Sequence, residues 1–444
     1  MYSELYGFAR KYLFPGGQVI RQSLHELEYT EWLSREELEA IQLKKIQQLV
    51  AYAYDHVPFY RKRYQSENIH PQDIKTFKDF QSLPFLTRYD VISNKESLAS
   101  TDYKGEVFQG STSGSTGNPM RYIMEKSTAY WSYAAEARCR SWYGVRPADK
   151  MARILVVLGE NSKHWKKDFS NLVKRYRYLD PRGITDTVIK NYADMLIQWQ
   201  PTMFRVYPSA LSLFAHYLKE RGVTTINPKL IEVTGEKITL SQQQLFKEIF
   251  NAPIASHYSS LEIFSLAYDC PEGSLHVNED RYLELVDNDK VVNPGQMGEV
   301  VVTSLNQYAM PFIRYKNGDL GVYESHGCAC GRSMPVLREI SGRKSDVLVK
   351  PDGSAVHWTG VCVVMMYKHE VLQYQIHQPN RNHIEVYVVC KQNVDNSYLE
   401  DIRVELQPLF GDAMTIHVKP VKQIQPTASG KLLFIISDVK PDFV

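Results

Sequence analysis

Between about Met151 and Glu262 apolar strand-like runs alternate with helical segments, and that alternation limits the folds open to this chain more than any other feature. Ile154-Leu155-Val156-Val157-Leu158 reads as a buried strand. A helical segment ends near Trp199, ahead of Pro201, and Met203 to Tyr207 reads as the next strand. Ser209 to Arg221 reads as a helix with Leu211, Phe214 and Leu218 on one face and Gly222 as its cap. Leu230 to Thr234 is a strand, Ser241-Gln242-Gln243-Gln244 caps the following helix, and Ile254 to Tyr258 is a further strand. Strands alternating with helices predict a parallel sheet of βαβ units. Ligands of such sheets lie beyond the carboxyl ends of the strands. Two ends are chemically pointed: Gly235-Glu236-Lys237, and His257-Tyr258-Ser259-Ser260-Leu261-Glu262.

The chain has 444 residues, more than one core can fill, so it divides into two or three domains. Ahead of the alternating region, Ser34-Arg35-Glu36-Glu37 is a capping box. The helix after it carries Leu43, Ile46, Val50, Ala53 and Val57 on one face and ends at Pro58. From Leu283 to Glu324 short strands and turns predict a small antiparallel barrel or sheet. From about Ser345 to Val444, strands Gln375–His377, Ile384–Val389 and Thr415–Val418 with a helix Tyr398–Phe410 predict a small α+β domain. The fold class is therefore α/β, with parallel αβ sheets and a small β-barrel in a large N-terminal part and an α+β domain behind it.

Gly110-Ser111-Thr112-Ser113-Gly114-Ser115-Thr116-Gly117-Asn118-Pro119 packs three glycines and five hydroxyls between two strand-like runs, Glu106–Phe108 and Met120–Met124. Glycine lets backbone N–H groups approach a ligand, and hydroxyls add donors, which suits a polyphosphate. No Gly-Lys-Ser/Thr closes the loop, so it is not the Walker type. A plain hairpin turn is the competing reading.

Six cysteines do not make a disulfide framework in a chain of this length. Cys270 and His276, with Cys328 and Cys330, add up to a tetrahedral zinc set, with a glycine beside each half. Unconnected thiols with a surface histidine are the alternative. Cys139, Cys362 and Cys390 read as core residues. A net charge of +2 gives no sign of nucleic acid, and no apolar stretch is long enough for a bilayer. Glu4, Arg10 and Lys11 interrupt the first seventeen residues, so no secretion signal is expected and the protein is read as cytoplasmic.

Five patterns follow one another in order: the loop 110–119, Tyr258 to Glu262, Pro311-Phe312-Ile313-Arg314-Tyr315-Lys316-Asn317-Gly318-Asp319, Gly342-Arg343-Lys344-Ser345-Asp346, and Thr427-Ala428-Ser429-Gly430-Lys431. Together they resemble the adenylate-forming superfamily of acyl-CoA synthetases, and within it the phenylacetate–CoA ligase branch with its capsule-biosynthesis relatives. The resemblance implies an N-terminal AMP-binding domain, 1–343, and a mobile C-terminal lid, 344–444, hinged at Lys344-Ser345-Asp346. It implies that Ser111, Thr112, Ser113, Gly114, Ser115, Thr116 and Gly117 hold phosphates, and that Glu262 ligates Mg²⁺. It further implies that Gly235, Glu236, His257, Tyr258 and Ser259 surround the adenine and that Asp319 binds ribose. Arg343 would contact ribose or phosphate, and Lys431 would bridge carboxylate and α-phosphate. Tyr207, Pro208, Ser209 and Phe264 are candidates for the acyl pocket. Relatives in this branch carry similar cysteines, which supports structural zinc.

Three positions depart from the pattern: Asn118 in place of a lysine, Ser259 in place of a glycine, and Leu261 in place of a hydroxyl residue that touches the α-phosphate. The expected reaction is ATP-dependent activation of a carboxylic acid as its adenylate, then transfer to a thiol, with coenzyme A as the co-substrate. Two other readings stay open: an amide-forming ligase of polysaccharide assembly, and a non-catalytic nucleotide-binding scaffold. The expected partner is a small-molecule carboxylate. The oligomeric state is left open, a dimer among the options.

Overall fold

A computed structural model describes residues 16–112, 120–155, 175–179, 186–343, 347–353, 355–357, 361, 364–365, 368, 370–391, 394–425 and 432–439. It divides into two compact units. One joins Met1–Ala148 to Ala255–Ser341, and the other joins Asp149–Ile254 to Gly342–Val444. No described helix is long and apolar enough to cross a membrane.

In the first unit Ser34 caps the helix Arg35–His56 with both bonds of the capping box. Ile46, Val50, Ala53 and Val57 of its predicted face are buried. Pro58 ends this helix and also begins another, Pro58–Ser66, because a proline at the first position gives up no hydrogen bond. The glycine-hydroxyl segment joins two antiparallel strands, Val107–Ser111 and Arg121–Glu125. Met120, Tyr122 and Met124 enter one core with Ile46, Tyr60, Ile263, Phe312, Ile313 and Tyr315. The base of the hairpin and two of the motifs thus share a packed floor, which helps to fix their relative positions. The expected β-rich segment is an antiparallel run. Its order is Lys290–Val291, Arg281–Asp287, Met297–Ser304, Tyr315–Tyr323, Val336–Arg343, Leu275–Val277, Phe264–Asp269 and Ile254–Ser260.

The second unit holds the predicted parallel strands in the order Leu230–Thr234, Met203–Val206, Met151–Ile154, Tyr176–Leu179. The strand expected at Ile154–Leu158 lies earlier, at Met151–Ile154, with Leu155 in a bend and 156–158 outside the described residues. Helices Asp186–Trp199, Pro208–Glu220 and Leu240–Phe250 bury Leu196, Leu211, Phe214, Leu218, Phe246 and Phe250 against this sheet. The last of them is capped by Thr239, whose box closes on Gln242, and not by Ser241.

The same unit contains a four-stranded sheet in the order Thr415–Pro420, His383–Cys390, Val371–Asn380, Ile435–Ser437. Its middle pair is antiparallel and both outer pairs are parallel. Helix Asn396–Phe410 buries Leu399, Ile402, Leu406 and Phe410 in its core. The buried Gln378 side chain accepts from Val349 N at 2.9 Å and donates to Val349 O at 2.6 Å, in the manner of a neighbouring strand.

Candidate functional site

Strand Ile254–Ser260 ends in an irregularity. Its register with Phe264–Asp269 shifts between Tyr258 and Ser259, and Ser260 pairs with Phe264 across a turn in which Phe264 has φ +65°. A bulge at a strand end re-aims side chains, and here it presents Ser259 to Glu262 beside the hairpin. Tyr122 donates its hydroxyl to Leu261 O at 2.7 Å, tying the hairpin to the residue before Glu262. Glu262 is buried and accepts from Tyr315 at 3.5 Å. At the hairpin's base Thr112 N donates to Met120 O at 2.9 Å, and Thr112 Oγ1 accepts from Arg88 at 3.1 Å.

Tyr258 donates to Asp319 at 2.6 Å. Asn317 donates to both, at 2.6 Å to Tyr258 and 3.1 Å to Asp319, while its own oxygen accepts from Asp319 N at 3.0 Å. Gly318, at φ +82°, makes the turn that lets Asn317 reach over its neighbour. Burial and the Asp319 carboxylate hold the Tyr258 phenol well above its usual range, so it stays a donor. His257 lies on the opposite side of the strand from Tyr258, as alternation requires. It is buried, with Nε2 at 3.0 Å from Ser265 Oγ, so the structure does not bring it to the Tyr258–Asp319 face. Leu261 is 39% exposed, and the neighbouring Ser260 Oγ is buried with no hydrogen-bond partner among the described residues. Phe264 packs against the core of this unit near Phe108.

In the second unit Gly235 has φ +77°, a conformation that favours glycine, and turns the chain at the end of Leu230–Thr234. Glu236 then reaches the first turn of helix Pro208–Glu220. Its carboxylate accepts from Ser209 N at 3.0 Å and Ser209 Oγ at 2.9 Å. A carboxylate is favoured there by the helix dipole and by the unpaired N–H groups. Tyr207 and Pro208 are buried beside it, and burial with the Glu236 charge pushes the Tyr207 phenol up to about 12. Ser113 to Gly117, the hinge residues 344–346 and Lys431 lie outside the described residues, as does the Arg343 side chain.

The four metal-ligand candidates come together. Their donor atoms all lie within 4.8 Å of one another, with Cys270 Sγ to Cys328 Sγ at 3.5 Å and Cys330 Sγ to His276 Nε2 at 3.3 Å. The sulfur separation is far beyond a disulfide bond of about 2.05 Å. It fits the edge of a tetrahedron with metal–sulfur bonds of about 2.3 Å. Each half is a tight turn. Gly273 N donates to Cys270 O and Gly331 N to Cys328 O, both glycines have positive φ, and Cys330 N donates to Cys328 Sγ at 3.4 Å. Burial pushes the His276 imidazole down to about 4, which keeps it neutral as a ligand must be. Cys139 is a buried core thiol, as expected, and Cys362 lies outside the described residues. The second turn also meets the N-terminal helices. Arg332 pairs with Glu31 at 3.0 Å, over the Trp142 ring, and Glu31 accepts from Trp142 at 2.8 Å.

Two residues here were not singled out from the sequence. Arg88 follows the helix cap Thr87, whose box with Asp90 places it under Thr112. Asn317 sits inside a quoted motif, and the Asn-Gly pair before a carboxylate is the signal that would have found it.

Residues 348–438 match the family described as the CapK C-terminal domain. Protein CapK of Staphylococcus aureus is 23% identical over 440 residues, covering 96% of this chain and 95% of CapK. Phenylacetate-coenzyme A ligase of Thermus thermophilus is 27% identical over 363 residues, covering 78% of this chain and 79% of the ligase. Among solved structures, a 2-hydroxyisobutyryl-CoA ligase in the postadenylation state with R3-HIB-AMP superposes with a TM-score of 0.76 at 19% identity, covering 92% of this chain and 91% of that one. The chain is a homologue of CapK and of the phenylacetate-coenzyme A ligases, built on the fold of the acyl-CoA ligases of the adenylate-forming superfamily.

Proposed function

We propose that this chain is an AMP-forming acid–thiol ligase that activates a small carboxylic acid with ATP and passes the acyl group to coenzyme A. The observation that carries the reading is the Tyr258–Asn317–Asp319 network beside the buried Glu262 and the hairpin base. In the first half-reaction a carboxylate oxygen bonds to the α-phosphorus, the bond to the bridging oxygen breaks, and pyrophosphate leaves with that electron pair. Both reactants are anions, so the protein's task is positioning and charge compensation. Tyr258 stacks on adenine and Asp319, held by Asn317, accepts from the ribose hydroxyls. Residues 111–117 donate to the phosphates, with Arg88 adding positive charge at the loop's base. Glu262, a hard oxygen donor, is the residue that would hold Mg²⁺, which spreads phosphate charge. Lys431 and Arg343 supply the remaining positive charge at the α-phosphate. In the second half-reaction the thiol sulfur bonds to the acyl carbon and AMP leaves.

Residues 1–343 act as the nucleotide-binding domain and 344–444 as its lid. Domain motion about 344–346 withdraws Lys431 between the two halves. Cys270, His276, Cys328 and Cys330 hold a structural zinc ion with no open position. Tyr207, Pro208, Ser209 and Phe264 contribute to the acyl pocket. With ATP and coenzyme A as reactants, the working compartment is the cytoplasm.

ATP–pyrophosphate exchange over a panel of carboxylic acids tests the reading. Exchange with at least one acid, lost in Lys431→Ala, supports it. No exchange with any acid while ATP still binds favours the non-catalytic scaffold. Product analysis with coenzyme A or an amine as the acceptor separates thioester from amide formation.

A further inference from the structure

Residues 261–263 form the turn between the paired Ser260 and Phe264, so their carbonyls fall outside the ladder of the sheet. The two carbonyls that flank Glu262 are taken up by buried side chains instead. Tyr122 donates to Leu261 O at 2.7 Å, and Arg281 Nη2 donates to Ile263 O at 2.8 Å. A peptide unit is planar, so these bonds fix the unit that enters Glu262 and the one that leaves Ile263. Arg281 does not need Ile263 to balance its charge. Its Nη1 pairs with Asp280 and donates to Asn306 Oδ1 at 3.1 Å. Asn306 donates to Asp280 at 2.9 Å, and its own carbonyl accepts from Thr128 at 2.7 Å. Thr128 lies in the first turn of helix Lys126–Ser141, which continues directly from the strand that carries Tyr122. The bonds therefore close a ring that runs from the hairpin strand through the Glu262 turn, Arg281 and Asn306 and back to the hairpin. Tyr122, Arg281, Asp280 and Thr128 are all buried, where a hydrogen bond is electrostatically stronger than in water. Burial and, after it, the Glu262 charge hold the Tyr122 phenol well above its usual range, so it stays a donor.

We propose that Tyr122 and Arg281 are positioning residues for Glu262: by holding the backbone on both sides of it, they set the direction in which its carboxylate meets the cation that accompanies ATP. This rests on the reading of Glu262 as the residue that would hold Mg²⁺. Mg²⁺ tolerates little departure from an octahedron, so a carboxylate on a loose three-residue turn would serve it poorly. Partners that orient a ligand typically account for about 10–100-fold in metal affinity.

Two measurements on the full-length chain decide it. Amide exchange read by mass spectrometry, without nucleotide, tests the clamp at the N–H groups of Glu262 and Phe264, which belong to the two held peptide units. Tyr122→Phe removes one oxygen and keeps the ring, and is expected to speed exchange at Glu262 by about threefold. Arg281→Lys keeps a charge beside Asp280 but offers one nitrogen in place of the fork, and is expected to speed exchange at Phe264 by about tenfold. Unchanged exchange at both amides, or equal acceleration in helix Arg35–His56, overturns the clamp. Equilibrium dialysis with labelled ATP, in Mg²⁺ and in EDTA, tests its use. The affinity ratio between the two conditions is expected to fall about tenfold in Arg281→Lys and about threefold in Tyr122→Phe, with affinity in EDTA within about twofold of wild type. Equal weakening in Mg²⁺ and EDTA belongs to a purely structural role and overturns the proposal, as does an unchanged ratio in both variants. Wild-type protein indifferent to Mg²⁺, or Glu262→Gln with the wild-type ratio, overturns the reading of Glu262 itself, and the exchange result still decides whether the clamp exists.

Discussion

Arg314, inside the Pro311–Asp319 motif, is expected to act on stability and not on chemistry, and its contacts allow the size of that effect to be worked out. Its guanidinium is 2% exposed and forms a forked pair with Glu284, itself 1% exposed, at 3.1 and 2.9 Å. A third nitrogen donates to Leu83 O, and the Phe85 ring lies 4.1 Å away. Arg314→Met removes the charge and leaves the stem. Glu284 then stays buried without a counter-charge, which costs about 3–5 kcal/mol. That is a large share of the roughly 5–15 kcal/mol that stabilises a typical domain. Glu284 can reduce the penalty by taking up a proton. Burial already raises its pKa and Arg314 opposes that rise, so the variant's folded-state pKa lies higher still. A group with a raised folded-state pKa stabilises below its unfolded value, about 4.3 for glutamate, and loses that stabilisation as pH climbs through the folded value. The deficit of the variant should therefore be smaller at pH 5 than at pH 8. The assay is urea unfolding read by pulsed amide exchange on strands Arg281–Asp287 and Met297–Ser304. Arg314→Met/Glu284→Leu, which removes both charges, should recover at least about 2 kcal/mol of the loss. A cost of Arg314→Met below about 1 kcal/mol, a double variant no more stable than the single, or a deficit that shrinks with rising pH would refute the reasoning.

Purified protein should carry about one zinc per chain by atomic absorption; Cys270→Ser and His276→Ala should each lose most of it and become more sensitive to protease near Glu31, whereas metal-free wild type would end the zinc assignment. Leu261→Thr places a hydroxyl at a 39% exposed position with little core to lose, and should raise kcat for pyrophosphate exchange a few-fold; Ser260→Ala should lower it if the buried hydroxyl serves in place of the missing one, and no change in either variant would remove both from the α-phosphate site. Gly110→Val should disrupt the hairpin, because a Cβ there meets the Tyr122 ring, which is buried and tied to Leu261 O; a variant with wild-type melting and ATP affinity would contradict that packing. Asp319→Ala should raise KM for ATP by about tenfold or more, measured in the same exchange assay, and an unchanged KM would take ribose recognition away from Asp319.

The parallel strands were readable because each is a run of apolar residues bounded by helix signals, and Leu230–Thr234 falls where the pattern placed it. Errors of position have local causes. Ile154–Leu158 is more apolar than Met151–Ile154, yet pairing with Met203–Val206 selects the earlier run. Thr239 and Ser241 both offer a cap hydroxyl, and only Thr239 has a glutamine three residues on whose side chain closes the box in the folded chain. The metal ligands could be picked out because cysteine and histidine beside glycine are few. That Cys270 and Cys330 would meet could not be read locally, since strands Leu275–Val277 and Val336–Arg343 bring their turns together through long-range pairing. Asn317 and Arg88 escaped notice for the same reason: their roles come from hydrogen bonds to side chains, and a sequence shows residue types without directions.

A side chain that imitates a strand has mechanical consequences. Val347–Val349 follows the expected pivot directly, and Gln378 bonds both the N–H and the C=O of Val349, while Ser437 donates to the Gln378 amide oxygen at 3.1 Å. The short strand and the four-stranded sheet are thereby stitched together through one amide group, with no intervening loop to stretch. A force on Val349 is borne at once by Val371–Asn380 and Ile435–Ser437, so the two sheets answer strain as one piece.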